Sequence, residues 1–382
     1  MDENKTNNFN RRNFIKTTAL AGALMGLAPM FNITEAKENV SKKSPSGTKR
    51  TLGSGKAKME VSAIGFGCMG LNYHRGPFPD KKFCINLLHE AVDNGYTLFD
   101  TAESYGPFIN EELVGEGLSK IHKRGKIAIT TKFGHDYDYV TGKPTGKQNS
   151  RPEHIRFVVE NSLRRLNIDY IDMLYQHRGD PNTPIEEVVG TIKELIKEGK
   201  IKHYGLCEVN PKTIKKAHDI YPITAIQSEY HLMFRNVEKE ILPLCERLGI
   251  GFVPYSPINR GLLGGQLNEY TNFNNITDNR KDLPRFQPEA LRQNMKFVET
   301  VIEFGRTRGM TPAQVSLAWL ISKKTFIVPI PGTTKPAHMS ENFNTTDFVL
   351  SPSDIEELET KLSQIEIVGD RYPAYLQKLV GQ

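Results

Sequence analysis

The chain has 382 residues, with 50 basic against 44 acidic side chains and a net charge of +6 when the histidines are neutral. Its 38% hydrophobic and 25% charged residues, with 31 Gly and 22 Pro, are the composition of an ordinary globular protein and exclude disordered, collagen-like and multi-span membrane chains. The positive excess is too dilute for nucleic-acid binding, and the four cysteines, at 68, 84, 207 and 245, form neither a CxxC pair nor a metal-ligand spacing, so no disulfide framework and no metal are expected.

Residues 1–36 read as a twin-arginine export signal. A polar start leads to Arg11-Arg12, then Asn13-Phe14-Ile15-Lys16, then a weakly apolar run from Thr17 to Phe31. The run is too short to span about 30 Å of hydrocarbon comfortably. The segment therefore predicts a periplasmic protein carried by the Tat export machinery, cleaved near Ala36, with no stable membrane span. Residues 37–50 are polar, lack apolar periodicity and read as a linker.

From residue 51 to about 365, short apolar runs alternate with amphipathic stretches. Candidate strands fall at 63–68, 97–101, 127–131, 171–176, 203–207, 225–227, 251–255 and 326–330, with helical spacing at 81–94, 151–166, 185–198, 211–219 and 237–248. Nearly all-apolar strands separated by helices predict a parallel sheet covered on both faces. Eight such units predict a (β/α)8 TIM barrel, in which the site lies where strands end and loops begin. Residues 366–382 form a C-terminal tail, part of which, Asp370 to Leu376, could fold over the site's mouth.

One motif fails its own condition. Gly65-Phe66-Gly67-Cys68-Met69-Gly70 matches the GxGxxG pattern of dinucleotide-binding turns, but that pattern needs a helix opening at its last glycine. Here the chain continues LNYHRGPFPD, which cannot start one. The glycines are assigned to the first barrel strand and its turn.

Chemistry-capable residues gather at strand ends in FDTAESYG (99–106), TKFG (131–134), LYQHR (174–178) and VPYSP (253–257). A tyrosine acts as a general acid toward a carbonyl oxygen when its proton becomes easier to release than its free pKa of about 10 allows. An adjacent lysine ammonium, itself held by a carboxylate, is expected to lower that pKa. Asp100, Lys132 and Tyr105 form such a set, and His177 can hydrogen-bond the substrate oxygen. None of them can supply a hydride, so a nicotinamide cofactor is required.

In this order and spacing, those phrases together with IPGTT (330–334) make residues from about 50 to 365 resemble the aldo-keto reductase superfamily. The resemblance implies the (β/α)8 barrel, NADP(H) bound extended across the strand ends, and hydride transfer to the carbonyl of a small aldehyde, ketone or sugar-like substrate. It gives the catalytic roles to Asp100, Tyr105, Lys132 and His177. It places Tyr255 against the nicotinamide, Gln227 and the strand end Cys207-Glu208 at the carboxamide, and Ser256, Gly261, Leu263, Gly332, Thr333 and Thr334 at the phosphates. Glu341 and Asn342 match the adenine-binding pair. Cys207 stands where relatives usually carry Ser, which weakens one hydrogen bond; burial makes it an inert thiol rather than a redox switch. His338, with Lys335 nearby, stands where many relatives place the Arg that clamps the 2′-phosphate, which leaves NAD(H) as the alternative cofactor.

The loops at 72–80, 134–150 and 258–287 are long enough to set the substrate; they offer Tyr73, Phe78, Tyr137, Tyr139 and Tyr270, and with the strand end at 178 the cations Arg75, Arg178 and Arg260. Two other readings stay open: an alcohol or sugar dehydrogenase on the same fold, and a non-catalytic cofactor-sensing binding protein. A monomer or weak oligomer is expected.

Overall fold

The computed structural model describes residues 48–274 and 276–381. The export-signal segment and residues 37–47 of the linker lie outside the described residues. The chain enters through an antiparallel hairpin, β1 (Lys49–Leu52) and β2 (Met59–Ser62). Lys49 and Arg50, expected in the linker, already belong to β1.

Seven parallel strands follow in chain order: β3 (Phe66–Gly67), β4 (Leu98–Asp100), β5 (Ala128–Phe133), β8 (Ile171–Gln176), β9 (Ile201–Cys207), β10 (Ala225–Glu229) and β11 (Gly251–Tyr255), each paired with the next. The strands numbered between, β6 (His135–Asp138) and β7 (Lys143–Gln148), form a separate antiparallel hairpin inside the loop after β5. The helices α1 (Lys81–Asp93), α2 (Ile109–His122), α3 (Pro152–Leu166), α4 (Ile185–Lys197), α5 (Pro211–Ile220) and α6 (Ile241–Leu248) link the strands. After β11 come α7 (Pro288–Arg306), α8 (Pro312–Lys323), α9 (Pro336–Phe343), α10 (Pro352–Ser363) and the short α11 (Ala374–Gln377). Side-chain caps start several of them: Asp80 accepts from the Phe83 N–H, Asn210 from Thr213, and Thr311 and Ser351 form reciprocal capping boxes with Gln314 and Asp354.

The expected eighth strand is present as a path rather than a regular ladder. Toward β11, Phe252 N–H donates to Phe326 O, and the Val328 and Ile330 N–H groups donate to Phe252 O and Pro254 O, at 2.9, 2.9 and 3.1 Å. Toward β3, Gly65 and Gly67 donate to Pro329 O and Pro331 O at 2.9 and 3.1 Å. Prolines 329 and 331 have no N–H to return, so this side of the ring closes on acceptors alone.

The same closure explains the GxGxxG segment. No helix opens at Gly70; only a single 3-10 turn, Met69–Leu71, follows. A Cβ on Gly67 would lie 2.8 Å from Ile330 O, and one on Gly332 would lie 2.6 Å from Gly67 O. Those glycines let the first and last barrel segments approach.

Side chains alternate across a strand, so one residue in two faces the barrel axis. The inner cluster contains Leu98, Met173, Tyr175, Cys207, Ala225, Val253, Val328 and Ile330, with Leu52, Met59 and Val61 of the entry hairpin. Carrying that alternation to the strand ends puts Asp100, Lys132, His177, Gln227, Glu229 and Tyr255 on the inward side at one face of the barrel. The apolar plug gives way to polar chemistry within two residues.

Candidate active site

Lys132, fully buried in the barrel, is the centre of the site. Its Nζ donates to Asp100 Oδ1 at 2.5 Å, to the Thr101 carbonyl at 2.7 Å and to Tyr105 Oη at 3.1 Å. An ammonium has three protons and all three are used. The other Asp100 oxygen accepts from Thr130 Oγ1 and Gln227 Nε2, both at 2.9 Å. The buried ion pair is therefore fully hydrogen-bonded, which a buried charge requires. Burial pulls the ammonium down, yet Asp100 and Tyr105 together hold it above the ordinary lysine range.

Tyr105 departs from the sequence expectation. Burial pushes its hydroxyl up to about 12, and the pull of Lys132 only limits the rise. The reason is the closed environment: Tyr73 stacks near its ring at 6.1 Å, and His177 meets it edge-on at 6.0 Å. The phenol is therefore fully protonated at neutral pH, and Lys132 acts by waiting beside the oxygen that will carry charge.

His177 follows β8. Burial, reinforced by His135 and Arg178, holds its imidazole well below the usual histidine range, so it is neutral. Its Nδ1 lies 3.3 Å from Ser104 Oγ. The β6–β7 hairpin reaches the same place, with His135 4.7 Å from His177, ring to ring. The hairpin was not legible in the polar stretch that forms it, HDYDYVTGKPTGKQ. Arg178 donates Nη1–H to the His177 carbonyl at 2.6 Å.

Around this set lie the residues that the resemblance assigns to the cofactor. Tyr255 ends β11 and Gln227 pairs in register with Cys207. Cys207 is buried, which pushes its thiol up to about 12, an unreactive state. Glu208, expected at the carboxamide, is a residue with φ +54° whose carboxylate takes a two-pronged contact from Arg371 of the tail, at 3.1 and 2.7 Å. In the loop after β11, Ser256, Asn259, Arg260 and Gly261 all have positive φ. The Gly261 and Leu263 N–H groups, expected at a phosphate, close turns on the Ile258 carbonyl at 3.0 and 3.2 Å. Gly332 is exposed and Thr333 and Thr334 half-buried just before α9, whose N-terminus also carries Lys335 and His338. Glu341 accepts from Thr311 Oγ1 at 2.8 Å, and Asn342 is buried beside it.

These donors fit a dinucleotide at both ends. An aromatic beside an amide suits a flat carboxamide-bearing ring, and the Thr333 and Thr334 hydroxyls with exposed Lys335 at a helix start suit a phosphate. Four further side chains contact this set or its surroundings without a motif that singles them out: Thr130, Ser104, Glu229 and Arg371. Strand alternation pointed to the first and third, since Thr130 lies two before Lys132 and Glu229 two after Gln227. Among the described residues no group of three or more His, Cys, Asp or Glu is placed to hold a metal ion, and no helix is long and apolar enough to cross a membrane.

The Aldo/keto reductase family profile matches residues 63–363. A probable aldo-keto reductase of Glycine max is 42% identical over 315 residues, covering 82% of this chain and 89% of the relative. Among solved structures, a glycerol dehydrogenase from Gluconobacter oxydans matches with a TM-score of 0.72 at 27% identity, covering 84% of this chain and 97% of its own. An aldo-keto reductase from Klebsiella pneumoniae, solved in complex with NADPH, matches with a TM-score of 0.64 at 25% identity, covering 85% and 99%. A match over most of the barrel, joined to a buried lysine that bridges carboxylate and phenol at its open end, makes this chain a member of the aldo/keto reductase family of oxidoreductases.

Proposed function

We propose that the protein is an NADP(H)-dependent reductase of small aldehydes, ketones or sugar-like carbonyls, with Tyr105 as proton donor. The observation that carries this reading is the Lys132 ammonium held between Asp100 and the Tyr105 hydroxyl. When bound, the nicotinamide supplies the hydride. Tyr105 gives its proton to the carbonyl oxygen as negative charge grows there. The phenolate left behind sits 3.1 Å from Lys132 Nζ, which stabilises it without moving. Asp100 keeps that ammonium charged and aimed. Neutral His177 orients the substrate oxygen through the ring nitrogen that Ser104 does not occupy. With its pKa near 12, Tyr105 is loaded with its proton across the whole neutral range. The likeness to a relative solved with NADPH supports NADP(H) over NAD(H), with Lys335 and His338 at the start of α9 as the groups that would meet a 2′-phosphate.

The experiment is a panel of aldehydes, ketones and sugars followed by reduced-cofactor absorbance, run separately with NADPH and NADH. Turnover with NADPH that disappears in Tyr105→Phe while NADPH still binds supports the assignment. Turnover that persists in Tyr105→Phe overturns it. The likeness to a glycerol dehydrogenase favours a second reading, oxidation of a polyol in the reverse direction, which the same panel run with NADP+ tests.

Residues 1–36 are proposed as a twin-arginine signal that carries the folded barrel to the periplasm with its cofactor loaded beforehand. The four free, buried cysteines suit a chain folded before export. Fractionation of cells expressing the Arg11→Lys, Arg12→Lys variant tests this, and periplasmic accumulation at the native level would sink it. A monomer or weak oligomer is proposed, which light scattering of the purified protein tests.

A further inference from the structure

Beyond the relay, the segment after α10 is fastened across the open face of the barrel. Val368 exchanges two hydrogen bonds with the Asn294 side chain of α7, at 3.0 and 2.9 Å, and the Gly369 carbonyl accepts from Arg285 Nε at 3.2 Å. Gly369 has φ +86° and a Cβ there would lie 2.8 Å from the Arg285 backbone, so the path requires glycine. Two residues later, buried Arg371 places its fork on Glu208 and lies 3.6 Å from Glu229. Glu229 in turn accepts both prongs of Arg260 at 3.0 Å. Next in the chain, the Tyr372 hydroxyl meets the Tyr255 hydroxyl at 3.0 Å. Finally the Gly381 N–H donates to the Glu208 carbonyl at 2.7 Å.

Glu208 directly follows β9, Glu229 ends β10 and Tyr255 ends β11. Two consecutive tail residues therefore reach the ends of three adjacent strands. A strap that only covered the barrel could hold backbone or rim charges. This one instead grips the far end of Tyr255 and the residue that follows Cys207. A tyrosine hydroxyl lies on the axis of χ2, so anchoring it fixes χ1 and with it the place of the ring. A ring held in advance loses less entropy when a ligand stacks on it.

We propose that Arg371 and Tyr372 are positioning residues of the cofactor site: Tyr372 fixes the ring of Tyr255, and Arg371 fixes the β9 end at Cys207-Glu208, so the C-terminal tail sets how tightly the nicotinamide end is held. The inference rests on the cofactor reading above. It extends that reading to tail residues that contact none of Asp100, Tyr105, Lys132 and His177.

The test is NADPH titration of the full chain by fluorescence, alongside steady-state kinetics and thermal unfolding. Tyr372→Phe removes one oxygen and keeps the ring over which Arg371 and Arg260 lie. It should weaken NADPH binding about threefold to tenfold, the range for one lost hydrogen bond, with the KM for NADPH rising in step and the KM for the carbonyl moving less. Arg371→Met should weaken NADPH binding further, and Arg371→Lys should recover part of the loss. If Arg371→Met fails to fold, Tyr372→Phe decides. An unchanged NADPH dissociation constant in Tyr372→Phe, with native binding by the unaltered protein, overturns the inference and leaves the proposed function standing. No NADPH binding by the unaltered protein overturns both.

Discussion

The two halves of this site are built from different materials. The half that would move the proton is anchored by strands: Asp100 and Lys132 each belong to a strand of the parallel sheet, His177 directly follows another, Tyr105 lies in the turn after β4 against Lys132, and the polar atoms of the Asp100–Lys132 pair all find partners. The half that would hold the cofactor starts at the strand ends Cys207, Gln227 and Tyr255 and continues onto loops and the tail. There the anchors are ion pairs between distant segments, Arg371 with Glu208 and Arg260 with Glu229. Strand ladders fix geometry through many backbone bonds, so a relay that needs alignment within a few tenths of an ångström belongs on them. Loops can open and close, which a dissociating cofactor needs.

If the strand half carries the chemistry, breaking it should abolish turnover while sparing binding. Tyr105→Phe should lower kcat by about a thousandfold, within the usual range for a lost general acid, with little change in the NADPH dissociation constant. A comparable loss of NADPH affinity would show that the two halves are not separable.

Lys132→Met should be nearly as severe and should reach stability as well. It leaves Asp100 buried without its cation, a situation that typically costs about 3–5 kcal/mol. Denaturant unfolding of Lys132→Met against the double variant with Asp100→Asn sharpens the point, because removing both charges should recover much of the loss. Equal instability in single and double variants would mean that the pair contributes by shape rather than by charge.

A smaller effect separates the halves by pH. Burial, with Arg178 nearby, holds His135 down to about 3, and His177 is also depressed, whereas both take up protons near 6.5 when unfolded. Falling pH therefore favours the unfolded chain, and stability should decline from about pH 6.5 downward, by about 1–2 kcal/mol at pH 5 for His135, which is partly exposed. Unfolding measured at both pH values should show a smaller decline in His135→Gln. An identical decline would place the acid sensitivity elsewhere.

How much of this could be read beforehand follows the same division. Asp100, Lys132 and His177 were legible because each sits at the end of an apolar run, where a change from Leu98 to Asp100, or from Tyr175 to His177, stands out within two residues. The barrel was legible for the same reason, its last strand at 326–330 included, although prolines at 329 and 331 remove ladder donors while leaving the path intact. The β6–β7 hairpin was hidden because its residues are polar throughout and its order comes from packing over the site. The Arg371 partner of Glu208 was not legible because it lies 163 residues away in the chain. The direction of the Tyr105 shift was missed because adjacency to Lys132 can be guessed from spacing, while the degree of burial that outweighs it cannot.

The smallest expected effect probes the seam between the halves. Ser104 lies in the FDTAESYG segment, yet its hydroxyl bonds neither the Lys132 nor the Tyr105 side chain and meets His177 Nδ1. For neutral His177 to donate to a carbonyl oxygen, the hydrogen must sit on Nε2, and Nδ1 must then accept from Ser104. Ser104→Ala releases that constraint, so the ring can populate the other tautomer and tilt. The expected loss in kcat/KM is about tenfold or less, the value of one hydrogen bond, with NADPH binding unchanged. Nitrogen NMR of His177 distinguishes the cause: a mixed tautomer in Ser104→Ala and a single one restored in Ser104→Thr supports the hydroxyl as the switch. A single, unshifted tautomer in Ser104→Ala would show that burial alone holds His177, and the strand half would then be more self-sufficient than its hydrogen bonds imply.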